Sequence, residues 1–299
     1  MDLRSRLADR RPLLFDGALG SELTRRGIQT PLPLWSAAAL RDAPAAIAAI
    51  HHDHVVAGAE VVTTATFRTT RRALAKSGSP DPAAEARRLT SRAVDLARSA
   101  GSPWIAGSIA PLEDCYEPAL VPDDATLVRE HGWLARDLAD AGVDLLLVET
   151  MNTLREAVAA ARAARATGLP LMVSFVCTSD ATAPPRLLSG EPVAAAARAL
   201  LAEGVAALGI NCTPVPTLHR PLAELLQAVA ARVPCAAYGN VGHTDAIQGW
   251  TCTTDCPPAA YAHAAAGWIA QGARIVGGCC GTTADHVAAL AALLRPTDA

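Results

Sequence analysis

VDLLLVET (143–150) is followed, one residue later, by NTLREAVAAARAARATG (152–168). The first stretch is a short apolar run without strict alternation of apolar and polar residues. A strand buried on both faces of a parallel sheet reads this way. The second carries alanines and leucine at helical spacing and stops on Gly168, the residue type that most readily takes the left-handed conformation closing a helix. Together they predict one strand–helix unit whose strand ends on Glu149 and Thr150.

The same unit repeats on either side. Apolar runs recur at 11–18, 59–67, 103–110, 169–177, 205–212, 233–240 and 273–280, which makes eight with the first. Helix-like segments separate them, for example EPVAAAARALLAEG (191–204). Gly58, Gly101, Gly142, Gly168, Gly204 and Gly272 mark helix ends. Asp42 before Ala43-Pro44, and Asp123-Asp124 before the segment through Trp133, read as helix starts. Eight strand–helix units in 299 residues predict a single-domain α/β protein, a (β/α)8 TIM-type barrel over residues 1–299 with its core at about 12–294. A doubly wound open sheet is the rival. It would normally show a glycine-rich phosphate loop after the first strand, and GALGSE (17–22) lacks the third glycine of that motif.

A formal charge of −3 and a pI near 6.2 give no electrostatic footprint for nucleic acid or an anionic membrane. The cluster Arg68, Arg71, Arg72 reads as a solvated or locally paired face. The first twenty residues carry charges throughout, and their one apolar run, 13–15, is too short for a signal-peptide core. No uninterrupted apolar segment reaches the ~18 residues of a membrane helix. The expectation is a cytoplasmic protein with neither nucleic-acid nor membrane partners. In a reducing compartment, eight cysteines point to metal or catalysis before disulfides.

A barrel gathers its chemistry where strands end. Read in order, those ends carry Asp16, then Thr64 and Thr66, Ser108, Glu149 with Thr150, Ser174 with Cys177, Asn211 with Cys212, Asn240, and Cys279 with Cys280. Strands 6 and 8 flank strand 7, so the thiols of Cys212, Cys279 and Cys280 can converge. Thiolates suit zinc, and catalytic zinc keeps one position open. Adjacent residues on a regular strand face opposite ways, so Cys279 and Cys280 share one metal only if the backbone bends, which Gly277, Gly278 and Gly281 permit. Spacing alone leaves zinc ligation and simple burial both open. Cys115, Cys177 and Cys235, taken singly, read as small buried hydrophobes.

DGALGSEL (16–23), PLWSAAAL (33–40), AGAEVVTTATF (57–67), AGSIAP (106–111), GINCT (209–213) and ARIVGGCCGTT (273–283), with VDLLLVET, resemble the homocysteine S-methyltransferase family in content and order. The resemblance implies a (β/α)8 barrel, a catalytic Zn2+ held by Cys212, Cys279 and Cys280, and an amino-group site for homocysteine at Asp16 and Glu149. It places Trp35 near the methyl donor. From the residues alone, Asp16 also reads as a turn or cap residue, Glu149 as a paired charge, and Trp35 as a loop residue covering the barrel mouth. Ser108 joins the substrate-binding candidates. Asn240 is the candidate for the oxygen ligand that related enzymes use at the fourth zinc position, although YGNVGHTD (238–245) departs from the common strand-7 pattern.

The function this implies is zinc-dependent methyl transfer from a sulfonium, S-methylmethionine or S-adenosylmethionine, to homocysteine, giving methionine. Two alternatives stand beside it: the same chemistry on another small thiol or a selenol, and a non-catalytic zinc- or redox-sensing barrel. HHDH (51–54) reads as a solvated or packed helix face. Cys252 and Cys256, in the loop after strand 7, read as spare thiols, with a disulfide, a second metal site or a lid also open. His243, near the same mouth, has no fixed role.

Overall fold

Eight parallel strands line up in the order expected of a barrel. The computed structural model of the chain describes residues 3–295 apart from 181, 246–248, 252 and 254. The strands are β1 (Leu13–Leu14), β2 (Val61–Thr63), β3 (Trp104–Ile109), β4 (Leu145–Met151), β5 (Leu171–Phe175), β6 (Ala207–Pro214), β7 (Cys235–Asn240) and β8 (Ile275–Val276). Neighbours pair in the order β1, β8, β7, β6, β5, β4, β3, β2. A parallel bridge from Phe15 to Val61 brings the two ends of that order together. The (β/α)8 barrel is thus the fold of this chain. A hairpin of His243–Asp245 with Gly249–Thr251 is added after β7. No described helix is long and apolar enough to cross a membrane.

Alternate strand residues divide between two cores, because successive side chains leave opposite faces of a strand. Leu13, Phe15, Val61, Ala106, Leu145, Leu147, Met172, Ala207, Ala236 and Tyr238 belong to the cluster that fills the barrel. Their chain neighbours, such as Val62, Ile105, Leu146, Val173 and Leu208, join the layer between strands and helices. Helix Leu154–Arg165 shows how that layer is built. Thr153 caps its start by accepting from the Glu156 N–H, and Ala157, Ala160, Ala161 and Ala164 form its fully buried stripe. Small residues there let the helix lie close to the sheet.

All six glycines expected at helix ends have positive φ, between 76° and 125°. Asp123 caps helix Asp124–Asp140, accepting from the Thr126 N–H at 2.9 Å. Asp42 does not act as a cap: it is the last residue of helix Ser36–Asp42, and Ala43 precedes helix Pro44–Val56. The outermost strands are shorter than their apolar runs. β8 ends at Val276, so Cys279 and Cys280 lie beyond it, in a turn. Of HHDH, only His52 is exposed. His51 and His54 are buried in helix Pro44–Val56, and burial pushes their pKa values down to about 3 and about 4.

Candidate active site

A cavity of about 1080 Å³ opens at the carboxyl ends of the strands. The inward-facing series explains most of its floor. On β4, Leu145 and Leu147 fill the barrel and Glu149 is the next residue in step. Ala106 is followed by Ser108 in the same way, and Val61 by Thr63. Asp16, Glu149, Ser108, Trp35, Cys212, Cys279 and Cys280, all expected from the sequence, line this one cavity.

Two of these residues are out of step with strand geometry. After Ala207, Gly209 and Asn211, the residue Cys212 ought to face the helices. The β6–β7 register instead shifts between Asn211 and Pro214, and Cys212 adopts φ 47°. A second shift, between Val148 and Met151, accompanies φ 59° at Thr150. Bulges of this kind re-aim side chains at barrel rims. The one on β6 turns the Cys212 thiol into the cavity. The Asn240 amide nitrogen donates to the Cys212 carbonyl at 2.9 Å and braces the bend. Asn240 itself is buried and does not line the cavity, and its Oδ1 has no hydrogen-bond partner among the described residues.

The turn after β8 supplies the other two thiols. Gly281 has φ 82°, and a Cβ there would stand 1.6 Å from the Val241 carbonyl oxygen. A Cβ on Gly278 would meet Thr282 Oγ1 at 2.2 Å, and one on Gly277 would meet Phe15 Cβ at 2.7 Å. Only Gly281 uses glycine's backbone freedom; the other two are required by close approach. The Tyr261 hydroxyl ties the ends of β7 and β8 together, accepting from Gly239 N–H at 2.9 Å and donating to the Gly277 carbonyl at 2.8 Å.

The result is three sulfurs within 4.8 Å of one another, with Cys212 and Cys279 Sγ 2.8 Å apart. Hydrogen bonds from Cys279 and Cys280 hold the Cys212 thiol well below its ordinary pKa, while the two donors are pushed up. The Tyr116 hydroxyl, on the loop after β3, adds to the stabilisation of the Cys212 sulfur. Three convergent soft donors at a cavity wall are a donor set suited to a thiophilic metal ion.

Asp16 and Glu149 form a second feature. Asp16 accepts from the Thr63 N–H at 2.7 Å and the Thr63 hydroxyl at 2.8 Å. Glu149 accepts from Ser108 Oγ at 2.5 Å. Neither has a cationic partner among the described residues. Burial pushes Asp16 up to about 7 and Glu149 up to about 8, the latter aided by the charges of Cys212 and Asp16. Two buried carboxylates without a counter-charge form a place for a cation to enter.

The remaining strand-end residues serve the frame. Thr66 Oγ1 donates to the Ser108 carbonyl, and Thr64 Oγ1 accepts from the Ser108 N–H. Ser174 shares a hydrogen bond with Tyr238. Cys177 and Cys235 are buried away from the cavity, as expected of small hydrophobes, whereas Cys115 is buried and also lines it. Cys256 is a free, partly buried thiol; Cys252 and the His243 side chain lie outside the described residues. Sequence reasoning missed Thr63, Phe67, Arg68 and Tyr116 as cavity residues. Thr63 was legible: it is in step with Val61, whereas Thr64 is not.

The homocysteine S-methyltransferase family model matches residues 13–294. This chain belongs to the homocysteine S-methyltransferase family. It is 31% identical to the homocysteine S-methyltransferase YbgG of Bacillus subtilis, over 97% of this chain and 96% of that one. It is 32% identical to a selenocysteine methyltransferase of Astragalus bisulcatus, over 93% and 90% of the two chains. The metallated form of the homocysteine methyltransferase MmuM from Escherichia coli superposes with a TM-score of 0.81 at 30% identity, covering 97% of this chain and 99% of that one.

Proposed function

We propose that this enzyme transfers a methyl group from a sulfonium donor, S-methylmethionine or S-adenosylmethionine, to the thiol of homocysteine, with Zn2+ held by Cys212, Cys279 and Cys280. The observation that carries the reading is the placement of three convergent thiols and two uncompensated buried carboxylates on one cavity. When bound, zinc keeps an acceptor thiol in its thiolate form near neutral pH, and the thiolate is the nucleophile.

The chain's own residues do the rest. Asp16 and Glu149 receive the amino acid's ammonium group, whose charge returns both carboxylates to their ionised form. Ser108 and Thr63 fix the orientation of the two carboxylates through their hydrogen bonds. The acceptor sulfur is thereby held beside the thiol cluster, its proton having left to solvent. Its lone pair forms the new S–CH3 bond as the donor's S–CH3 bond breaks, and the bonding pair stays on the departing thioether. That leaving group is neutral, so no general acid is needed, consistent with the lack of a histidine on the cavity wall among the described residues. Trp35 offers an aromatic face to the sulfonium. Asn240 Oδ1, a buried oxygen without a hydrogen-bond partner among the described residues, would be the oxygen donor to the zinc in the absence of substrate.

A second acceptor has a specific observation behind it. The selenocysteine methyltransferase relative matches as well as the homocysteine enzymes do, and a selenol meets the same site requirements. The test is zinc content of the reduced protein, with and without Cys279→Ser, alongside methyl transfer to homocysteine and to selenocysteine. About one zinc per chain, lost together with activity in the variant, is expected. A metal-free but active enzyme would overturn the thiolate reading.

A further inference from the structure

The cavity is far larger than one four-carbon amino acid, and its outer half has its own chemistry. Asp16, Ser108, Glu149 and Cys212 are buried on its wall, whereas Trp35, Phe67 and Arg68 are half-buried and make up its outer part. Towards the mouth, Trp35 and Phe67 meet edge to face, with ring centroids 5.4 Å apart and planes at 73°. The Arg68 guanidinium carbon lies 5.4 Å from the Phe67 ring centroid. Arg68 also lines the cavity and is the only basic residue that does so among the described residues, against the four carboxylates of Asp16, Asp114, Glu117 and Glu149.

Arg68 is not part of a salt-bridged face. Its neighbours are accounted for: Arg72 pairs with Glu113 and Glu130, and Arg71 lies over the Trp133 ring at 4.1 Å. Arg68 Nη1 alone is engaged, donating to the carbonyls of Glu113 at 2.9 Å and Pro111 at 3.3 Å. Those bonds fix the side chain and leave Nε and Nη2 without an acceptor among the described residues. An anchored guanidinium with a free edge on a cavity wall is arranged to take a carboxylate.

We propose that Arg68 selects the methyl donor by its α-carboxylate, so that the outer half of the cavity takes sulfonium compounds carrying a complete amino-acid tail. The inference rests on the methyl-transfer reading above and deepens it. In such a donor, four bonds of about 1.5 Å or slightly more separate the sulfonium sulfur from the carboxylate carbon. The Arg68 guanidinium carbon and the Phe67 ring, 5.4 Å apart, thus put a carboxylate site and an aromatic surface side by side on the cavity wall. The aromatic pair takes the sulfonium, Arg68 the carboxylate, and Asp114 or Glu117 the ammonium group. Simple alkyl sulfoniums would meet only the aromatic pair.

The experiment compares kcat/KM for S-methylmethionine and for (3-aminopropyl)dimethylsulfonium, which lacks only the carboxylate, with homocysteine as acceptor. Wild type is expected to prefer S-methylmethionine by roughly ten- to a hundredfold, the scale of one charge-assisted contact. Arg68→Met should abolish the preference while leaving the KM for homocysteine unchanged, and Arg68→Lys should restore part of it. An Arg68→Met enzyme that loses activity equally with both donors would show a purely structural role and overturn the proposal. Wild type that uses both donors equally overturns it without any variant, which covers the case of a variant that does not fold. Wild type that uses neither, and does not methylate homocysteine from S-adenosylmethionine either, overturns the methyl-transfer reading as well.

Discussion

Asn211 holds Thr150 from two sides: its Oδ1 accepts from the Thr150 N–H at 3.0 Å, and its Nδ2 donates to Thr150 Oγ1 at 2.8 Å. Both residues are fully buried, and each stands next to a proposed functional group, Glu149 in one case and Cys212 in the other. The pair locks the bulge on β4 to the bulge on β6. Asn211→Ala would strand a buried N–H and hydroxyl, at about 2–4 kcal/mol. Urea denaturation should show that loss, and zinc stoichiometry should fall with it because Cys212 is no longer held in place. A variant of wild-type stability would mean that the bulges hold themselves.

Asp16 gives a pH signature. Its folded pKa of about 7 lies above the unfolded value of 3.8. Between those values the folded state keeps a proton that the unfolded state has lost. Stability is therefore greatest below the lower value and declines as pH rises towards about 7, by on the order of 4 kcal/mol at most. Asp16→Asn should remove the share of this slope that Asp16 contributes, leaving the share of the same sign that Glu149, raised to about 8, adds. In metal-free protein, the variant's stability relative to wild type should be higher at pH 8 than at pH 5. Homocysteine binding should go the opposite way. The ammonium group needs an ionised carboxylate, so wild-type KM should rise as pH falls below 7. In Asp16→Asn the KM should be raised roughly ten- to a hundredfold, the scale of a lost charged contact, and should depend less on pH.

Gly281→Ala tests the turn that carries the paired cysteines. The new methyl group would meet the Val241 carbonyl at 1.6 Å in a backbone region that alanine avoids. The backbone must move, and Cys280 with it. A loss of about 3 kcal/mol or more and zinc content well below one per chain are expected. Retention of full zinc would show that the turn tolerates another path.

Glu156 governs the loop that brings Cys115 and Tyr116 to the cavity. Its Oε1, fully buried, accepts from Leu112 N–H at 2.8 Å and lies 3.1 Å from His131 Nε2. Glu156→Gln keeps an acceptor and should cost little, whereas Glu156→Ala should cost about 2–4 kcal/mol. Hydrogen exchange at residues 112–117 should quicken in the alanine variant and not in the glutamine one.

The repeated strand–helix pattern, the glycine stops and the eight-fold count were legible in the sequence because each is a local property. The same holds for the inward residues: once one member of a strand faces the barrel, a step of two finds Ser108, Glu149 and Thr63. The cysteines of GINCT and GGCCGTT carried the family resemblance directly.

What the tertiary structure decided are the departures from that alternation. Cys212 lies on the wrong parity for the cavity, and only the register shift against β7, braced by Asn240, turns it inward. Cys279 and Cys280 reach the same point from a turn beyond β8, not from its end. The pKa values of Asp16 and Glu149 depend on how deeply neighbouring strands bury them and on the lack of a cationic partner among the described residues. Arg68 reads from sequence like its paired neighbours, and becomes a cavity residue because the loop after β3 fixes it by two carbonyls. Local pattern sets elements and faces; bulges, burial and contacts between distant segments are set by the closed ring of strands, which no single stretch of sequence contains.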